Sequence, residues 1–436
     1  MQDIDFSDAD AIVVGAGFAG SVVARELAER LGMRVAIIEQ RPHIAGNAYD
    51  EYDKAGVLVH RYGPHIFHTN SKRAYDYLSR FTAWYDYSHE VMADIHGVYT
   101  PVPFNLNSIE LHFDAEKAAA LKEKLVETFG MDTKVPIIQL RESADPLLAE
   151  LAEFIYHKVF LYYTQKQWGL APDEVDPSVT ARVPVLVGRD NRYFQDTYQG
   201  MPLNGYTRLF ESMLDHPNIH VYTNLDARDV LDFVMPGDAA ATRFSQIHVN
   251  KKLYTGEIIY TGPLDLLCNK RFNMLPYRSL DFIYQTIEKK HVLPCGTVNY
   301  TVSEDFTRIT EFTWLTGQEL DCTTIMEEYP CAFEDLPGQV PYYAILNDEN
   351  RTHYDRYEAL FCRLGNFHAL GRLAEYRYYN MDQIVDRALD LSDKICKKYS
   401  DDPLLKQVLK GAGEGLMAGL LGILPDNPFA DHEQRT

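Results

Sequence analysis

The chain has 436 residues, 46% hydrophobic and 24% charged, with 42 Lys and Arg against 63 Asp and Glu for a formal charge of −21. That balance describes a water-soluble globular protein of two or three domains. It argues against unaided binding to nucleic acid or an anionic membrane surface, yet allows an anionic small ligand held by locally concentrated arginines.

The acidic start MQDIDFSDAD lacks a signal-peptide apolar region, and no run approaches the roughly 18–20 apolar residues of a membrane span, so a cytoplasmic protein is expected. Six cysteines, none in Cys-x-x-Cys, read as free thiols of a reducing compartment. AIVVGAGFAG (Ala11–Gly20) is an apolar strand running into Gly15-x-Gly17-x-x-Gly20. SVVARELAERLG has helical periodicity, and RVAIIEQ is a second strand ending in Glu39, 19 residues beyond the last glycine. Strand, glycine turn, helix, strand and acid make the dinucleotide-binding βαβ unit. Its glycines let a pyrophosphate approach the helix N-terminus. Glu39 is placed to accept hydrogen bonds from ribose hydroxyls and disfavours a 2′-phosphate. The glycine-containing loop RPHIAGNAYD (Arg41–Asp50) is of a kind common where the dinucleotide is FAD, and lets backbone approach the cofactor.

RYGPHIFHTN (Arg61–Asn70) carries His65 and His68 behind a Gly63-Pro64 turn. The turn implies extended chain, in which residues three apart face opposite sides, so a chelating pair is disfavoured. Two ordinary buried histidines and wall residues of a site both remain open on spacing alone. DAEKAAALKEKLVETFG (Asp114–Gly130) and DPLLAELAEFIYHKVFLYYTQKQWG (Asp145–Gly169) show apolar recurrence at i, i+3 and i+4 and are expected to be helices. LAPDEVDPSVTARVPV (Leu170–Val185), with three prolines, reads as a mobile loop. NGYTRLFESMLDHPNIHVYTN returns to helix and strand, and EIIYTGPLD (Glu257–Asp265) is strand into turn. A β-rich stretch continues to about Pro341, and GRLAEYRYYNMDQIVDRALDLSDKI (Gly371–Ile395) is a turn and polar run entering a helix. No internal repeat is evident, and the Gly/Leu-rich tail has no assigned role.

An arginine and aromatic set stands out along these segments: Tyr163, Trp168, Arg182, Tyr193, Arg278, Arg308, Tyr343, Arg372 and Tyr378. Aromatic faces stack on bases and sugars, and arginines clamp phosphates. Any one such aromatic at helical spacing is more often core. Arg182, Arg308 and Arg372 lie in or beside turn-rich segments of an acidic chain and are harder to read that way.

The segments VVGAGFAG, GPHIFHTN, YTQKQWG, DPSVTARVPV, DNRYFQDTYQGMPLNGYT, IIYTGPLD, LPYRSLDF, FTRITEF, VPYY and GRLAEYRYYNMD, in this order, resemble the bacterial-type UDP-galactopyranose mutases over roughly residues 10–398. The resemblance implies an isomerase that interconverts UDP-galactopyranose and UDP-galactofuranose. In that family N5 of reduced FAD attacks the anomeric carbon and expels UDP. The flavin–sugar adduct opens and recloses as the other ring, and UDP returns, so no reducing equivalent is consumed. It implies uracil stacking by Phe160 and Tyr163, Trp168 beside nucleotide and sugar, and His89 and Arg278 in the substrate pocket. Arg182 and Arg308 would meet the diphosphate as catalytic arginines with Tyr193, Tyr343 and Tyr378, and Asn299 would lie nearby. His68 is implied near the reacting centre. Cofactor contacts are implied for Gly15, Gly17, Phe18, Gly20, Glu39, Gln40, Asn47, His65, Ile66, Arg372, Tyr379, Asn380, Met381 and Gln383. No metal is implied. NAD(P)H or another reductant would prime the flavin, and a cytoplasmic homodimer serving cell-surface polysaccharide biosynthesis is the family expectation.

The expected fold is α/β: a Rossmann-like FAD-binding domain with an inserted helical domain and an antiparallel β-sheet domain. The FAD-binding domain would be split over 1–75, 206–265 and 346–400. A mainly helical domain would span 76–170, a mobile substrate loop with sheet strands 171–205, an antiparallel substrate sheet 266–345, and a C-terminal extension 401–436. Ala45 replaces the first of two family glycines, Glu90 stands where arginine is frequent, and Asn380 stands where an acid is frequent. TEFTWLTGQELDCTTI also diverges. These departures leave a related nucleotide-linked hexose as the alternative substrate. An FAD oxidase or amine dehydrogenase would not need phosphate-binding arginines, and a silent nucleotide-sugar binder would not need the flavin wall of His65, His68 and Arg372.

Overall fold

The computed structural model describes residues 4–169, 184–236 and 243–401. Five apolar runs pair in parallel: β1 (Ala11–Val14), β2 (Val35–Ile38), β3 (Ile219–Tyr222), β4 (Glu257–Tyr260) and β5 (Phe367–Ala369). Their spatial order is β3-β2-β1-β4-β5. Parallel strands covered on both faces are largely apolar; β2 and β4 are buried at every position, and the one carboxylate among them, Glu257, is paired with His368 and Lys398. Neighbours of β1 leave in opposite directions, so the carboxyl end of β1 is the switch point at which a crevice opens. Helix α1 (Phe18–Leu31) starts there, with Gly17 as an N-cap that offers no side chain. It stops at Gly32, whose left-handed φ of 67° turns its N–H back onto Ala28 and Leu27 carbonyls. Val22, Val23 and Leu27 of α1 share one core with Val385, Ala388 and Leu389 of the helix Met381–Asp401.

The helix Tyr206–Leu214 also begins on a glycine, Gly205, at φ 86° and without a side-chain cap of its own. Asp50 supplies the cap from across the fold, its two carboxylate oxygens accepting from Tyr206 N at 2.6 Å and Thr207 N at 2.8 Å. A Cβ on Gly205 would sit 2.6 Å from Asp50 Oδ2, so glycine is what admits the carboxylate. Burial pushes the Asp50 carboxyl up, and these hydrogen bonds pull against it.

A seven-stranded sheet stands beside the parallel one. Its order is Tyr343–Ala344, Tyr277–Ile287, Thr323–Ala332, Arg308–Glu311, Thr297–Tyr300, Val91–Ile95 and Val98–Val102. All pairs are antiparallel except Thr297–Tyr300 with Val91–Ile95. The last two strands fall in the span expected to be mainly helical. Val91, Ala93 and Ile95 are buried and alternate with less buried neighbours, which is the period of a strand. Helices begin at Leu106 and continue as Leu106–His112, Ala115–Phe129, Ile137–Arg141 and Pro146–Ile155.

The single long helix expected over Asp145–Gly169 is interrupted. One π-helical turn, Tyr156–Phe160, joins Pro146–Ile155 to Leu161–Trp168. Leu148, Leu151, Ala152 and Ile155 face the helical core. The extra residue of a π turn rotates the next helical segment by about a quarter of a turn. Phe160, Tyr163, Thr164 and Gln167, again spaced i, i+3, i+4 and i+7, now face a different cavity. Among the described residues no helix is long and apolar enough to cross a membrane. Residues 170–183, which include Arg182, and the tail from 402 lie outside the described residues.

Candidate active site

Two cavities meet in the space between the sheets. A crevice of about 340 Å³ opens at the carboxyl end of β1 and is lined by Gly15, Gly17, Phe18, Glu39, Gln40 and Tyr379. A cleft of about 240 Å³ is lined by Ile66, His68, His89, Phe160, Tyr163, Trp168, Tyr193, Asn299, Arg308, Tyr343 and Tyr378. Asn47, His65, Tyr342, Arg372, Asn380 and Met381 line both, so the two adjoin along a shared wall.

The crevice fits a dinucleotide. Gly15 has φ 102°, and a Cβ there would meet Thr261 Oγ1 at 2.1 Å. A Cβ on Gly20 would lie 2.0 Å from the Gly15 carbonyl oxygen, so Gly20 lines neither cavity and instead lets α1 close onto the turn. Gly17 is different: its Cβ would meet no protein atom nearer than 3.6 Å. The first bond within α1 is Ser21 N to Gly17 O at 2.9 Å, so the amides before it point to the crevice as an anion site. Glu39 is buried and accepts from Ala16 N and Arg41 N, both at 2.9 Å, which fixes its carboxylate at the crevice wall.

Ala45 explains why glycine is usual at its position. It is held at φ 72°, with its N–H on Ala16 O at 2.9 Å, so the strain is in the backbone and not in an intruding methyl. Left-handed geometry costs a non-glycine residue about 1–2 kcal/mol, against about 0.5–1 kcal/mol for the extra freedom of glycine in the unfolded chain. Ala45→Gly is therefore expected to raise stability by roughly 0.5–1 kcal/mol, read as a higher denaturation midpoint. A lowered midpoint would refute the strain account.

In the cleft, charge is arranged in pairs. Arg308 donates through Nε at 3.0 Å and Nη2 at 2.7 Å to Glu328 Oε2, and Glu328 is fully buried. Burial is the largest influence and opposes the Arg308 charge, but Glu328 together with its other neighbours more than offsets it, so the guanidinium is stabilised in its charged form. Arg372 donates to the Tyr379 carbonyl through Nε at 3.0 Å. Its guanidinium carbon lies 4.7 Å from the Tyr378 ring and 5.5 Å from the Tyr343 ring. Tyr343 and Tyr378 stack at 6.0 Å, and Trp168 closes the row 5.7 Å from Tyr343.

The histidines are not a chelating pair. His65 precedes the strand Phe67–Thr69 and His68 lies within it; both line the cleft, where uniform extended chain would have set them on opposite sides. His65 Nδ1 bonds Gly63 O at 2.9 Å and His68 Nδ1 bonds Asp196 Oδ2 at 2.6 Å. Burial drives His65 and His89 down to about 3, so both are neutral rings at pH 7.

Three expected site residues, Gly20 among them, line neither cavity, and a fourth lies outside the described residues. Arg278 lines neither cavity; its Nε and Nη2 donate to the Gln167 and Lys166 carbonyls and so close the end of Leu161–Trp168. Gln383 lines neither, its Oε1 accepting from Asn380 N at 2.8 Å as the helix Met381–Asp401 begins. Arg182 is the residue outside the described range. Reasoning from sequence missed Glu328, Asp196 and Phe194. Each reaches the site by strand register or a loop contact, and no short-range spacing marks it. Gln167 was also missed: it lines the cleft, and its buried Oε1 has no hydrogen-bond partner among the described residues.

Known proteins share this sequence pattern and this fold. A family profile described as UDP-galactopyranose mutase matches residues 158–378, and one described as an NAD(P)-binding Rossmann-like domain matches residues 13–81. The chain is 31% identical over 396 residues to the dTDP-fucopyranose mutase of Escherichia coli, covering 89% of this chain and 99% of that protein. It is 30% identical over 399 residues to the UDP-galactopyranose mutase of Mycoplasma pneumoniae, covering 90% and 97%. Among solved structures, a reduced UDP-galactopyranose mutase superposes with a TM-score of 0.63 at 15% identity, over 93% of this chain and 97% of that one.

Proposed function

The chain belongs to the UDP-galactopyranose mutase family and is an isomerase, and from that premise we propose that it interconverts the pyranose and furanose forms of UDP-galactose with FAD as cofactor. One observation supports the reading: the dinucleotide crevice and a cleft of arginine and aromatic side chains lie side by side and share the lining residues His65, Tyr342 and Arg372. Bound in reduced form, the flavin supplies an electron-rich N5 as nucleophile toward the anomeric carbon, with no net redox change. The chain's own residues bind, orient and shield. Phe160 and Tyr163 present ring faces for the base. Arg308, held protonated by Glu328, meets the diphosphate, and Arg182 is proposed to add a second cation from outside the described residues. Trp168, Tyr343, Tyr378 and Arg372 form the wall between nucleotide and cofactor. Priming by NAD(P)H, a homodimer and a cytoplasmic place in cell-surface polysaccharide synthesis belong to the same proposal.

The Escherichia coli relative named for dTDP-fucopyranose matches this chain as well as the relative named for UDP-galactopyranose. That observation supports a second reading, in which a dTDP-linked 6-deoxyhexose is the substrate. Both are tested together. Anaerobic protein reduced once with dithionite is offered UDP-galactofuranose or dTDP-fucopyranose, and the furanose-to-pyranose ratio is monitored by chromatography. Many turnovers per flavin on one of the two, lost on air oxidation, are expected. Equal turnover by oxidised protein, or one NADH consumed per product, would reject the mechanism.

A further inference from the structure

His68 lines the cleft, and its ring lies flat on Phe194 at a centroid distance of 3.5 Å and 9°. Its Nδ1 edge is engaged by Asp196 Oδ2 at 2.6 Å. The other oxygen of that carboxylate, Oδ1, accepts from Asn70 Nδ2 at 2.5 Å. Asn70 in turn is locked. Thr197 N at 2.9 Å and Thr197 Oγ1 at 3.0 Å both reach Asn70 Oδ1. A backbone N–H can only donate, so that atom is the carbonyl oxygen and the amide nitrogen must face Asp196. The network is built on paired strands, with Thr69 opposite Tyr198 and His68 opposite Gln199. Gln199 ties the loop down through Nε2 to the Phe194 and Asp196 carbonyls.

A carboxylate accepts hydrogen bonds and cannot donate one. Whatever faces Asp196 Oδ2 must therefore bring the proton, and in His68 that atom is Nδ1. Resting on the mutase reading for the identity of the ligand, we infer that Asp196 is a positioning residue. It fixes a proton of the His68 ring on Nδ1, so that whenever the ring is neutral Nε2 is the acceptor for an N–H or O–H donor of a ligand bound in the cleft.

The locked Asn70 gives the inference a sharp test. In Asp196→Asn the new side chain must turn its carbonyl oxygen to Asn70 Nδ2, which leaves its amide nitrogen against His68 Nδ1. Two donors cannot face each other, so the His68 proton moves to Nε2. NMR of the ring nitrogens in histidine-labelled protein, with the His68 signals assigned by their loss in His68→Gln, reads this directly. At a pH high enough for the ring to carry a single proton, the wild type is expected to hold it on Nδ1 and Asp196→Asn on Nε2. In the double variant Asp196→Asn/Asn70→Ala the lock is gone, the amide is free to turn, and the proton is expected back on Nδ1. Turnover should track the proton: kcat falls about 10- to 100-fold in Asp196→Asn, by analogy with the loss of an orienting partner of a metal-bound histidine, and part returns in the double variant, with flavin content unchanged throughout. A wild-type ring protonated on Nε2, an unmoved proton in Asp196→Asn, or wild-type kcat in that variant would each overturn the inference. The spectra decide the proton placement by themselves, so a protein without mutase activity counts against the proposed function and not against Asp196.

Discussion

Replacing Arg308 with alanine is expected to lower turnover by about 10²- to 10³-fold, the usual loss when a preorganised donor to developing charge is removed from a water-poor site. In the proposed reaction, departure of a nucleoside diphosphate from the anomeric carbon would leave negative charge on phosphate oxygen, and a fixed guanidinium in the cleft would stabilise it. Arg308 is already oriented for this by Glu328, which takes Nε and Nη2 on one oxygen. The alanine variant has a second consequence. Glu328 is fully buried, and leaving a buried carboxylate without its partner costs about 3–5 kcal/mol of stability. Low activity in Arg308→Ala could therefore reflect a loosened fold. Pairing it with Glu328→Gln removes that ambiguity, since the stranded charge is neutralised. The double variant should regain much of the lost denaturation midpoint and none of the lost kcat. Arg308→Lys, which keeps charge but not the fork, should fall between wild type and alanine. Turnover near the wild-type value in the stabilised double variant would remove Arg308 from the chemistry.

How far the site could be read in advance depends on the range over which each feature is encoded. The crevice is local: glycine spacing, one helix and one acid lie within about thirty residues, and β1, α1 and β2 stand where their pattern places them. The remaining parallel strands come from three distant segments, each a short run. Their order around β1 is a property of packing. The π turn at Tyr156–Phe160 was hidden because the residues on either side are each helically periodic, and only the phase between them changes. That phase decides which of Phe160, Tyr162 and Tyr163 faces the cleft; Tyr162 is exposed and the other two line it. Glu328 stands opposite Arg308 by strand register, and Asp196 meets His68 beside another strand pair, so neither had a signature near the residue it serves. Arg278 shows the converse. An arginine in a motif-like segment invited a phosphate role, and its donors are spent on the carbonyls at the end of a helix.

The glycine turn offers the other large effect, and its last two glycines, Gly17 and Gly20, separate fold from ligand. Gly20→Ala would push a methyl group to 2.0 Å from the Gly15 carbonyl oxygen and 2.8 Å from Val13 Cγ1. Neither neighbour can retreat without parting α1 from β1, so this variant should lose stability even without cofactor. Gly17→Ala has no such difficulty. Its backbone lies at φ −87°, where any residue is at ease, and its nearest protein neighbour would be Gly46 Cα at 3.6 Å. Alanine there is expected to leave the apoprotein as stable as the wild type. The added methyl instead points where a pyrophosphate must approach the first amides of α1. Gly17→Ala should therefore be purified nearly colourless. Displacing a charge-assisted phosphate contact costs about 1.5–3 kcal/mol, or roughly 10- to 100-fold in affinity, measured by flavin fluorescence quenching on titration with FAD. Gly20→Ala should show lost stability first and lost flavin as its consequence, whereas Gly17→Ala should show lost flavin alone. If Gly17→Ala bound FAD as tightly as the wild type, the phosphates would have to lie away from this helix end, and the crevice would hold its ligand in some other orientation.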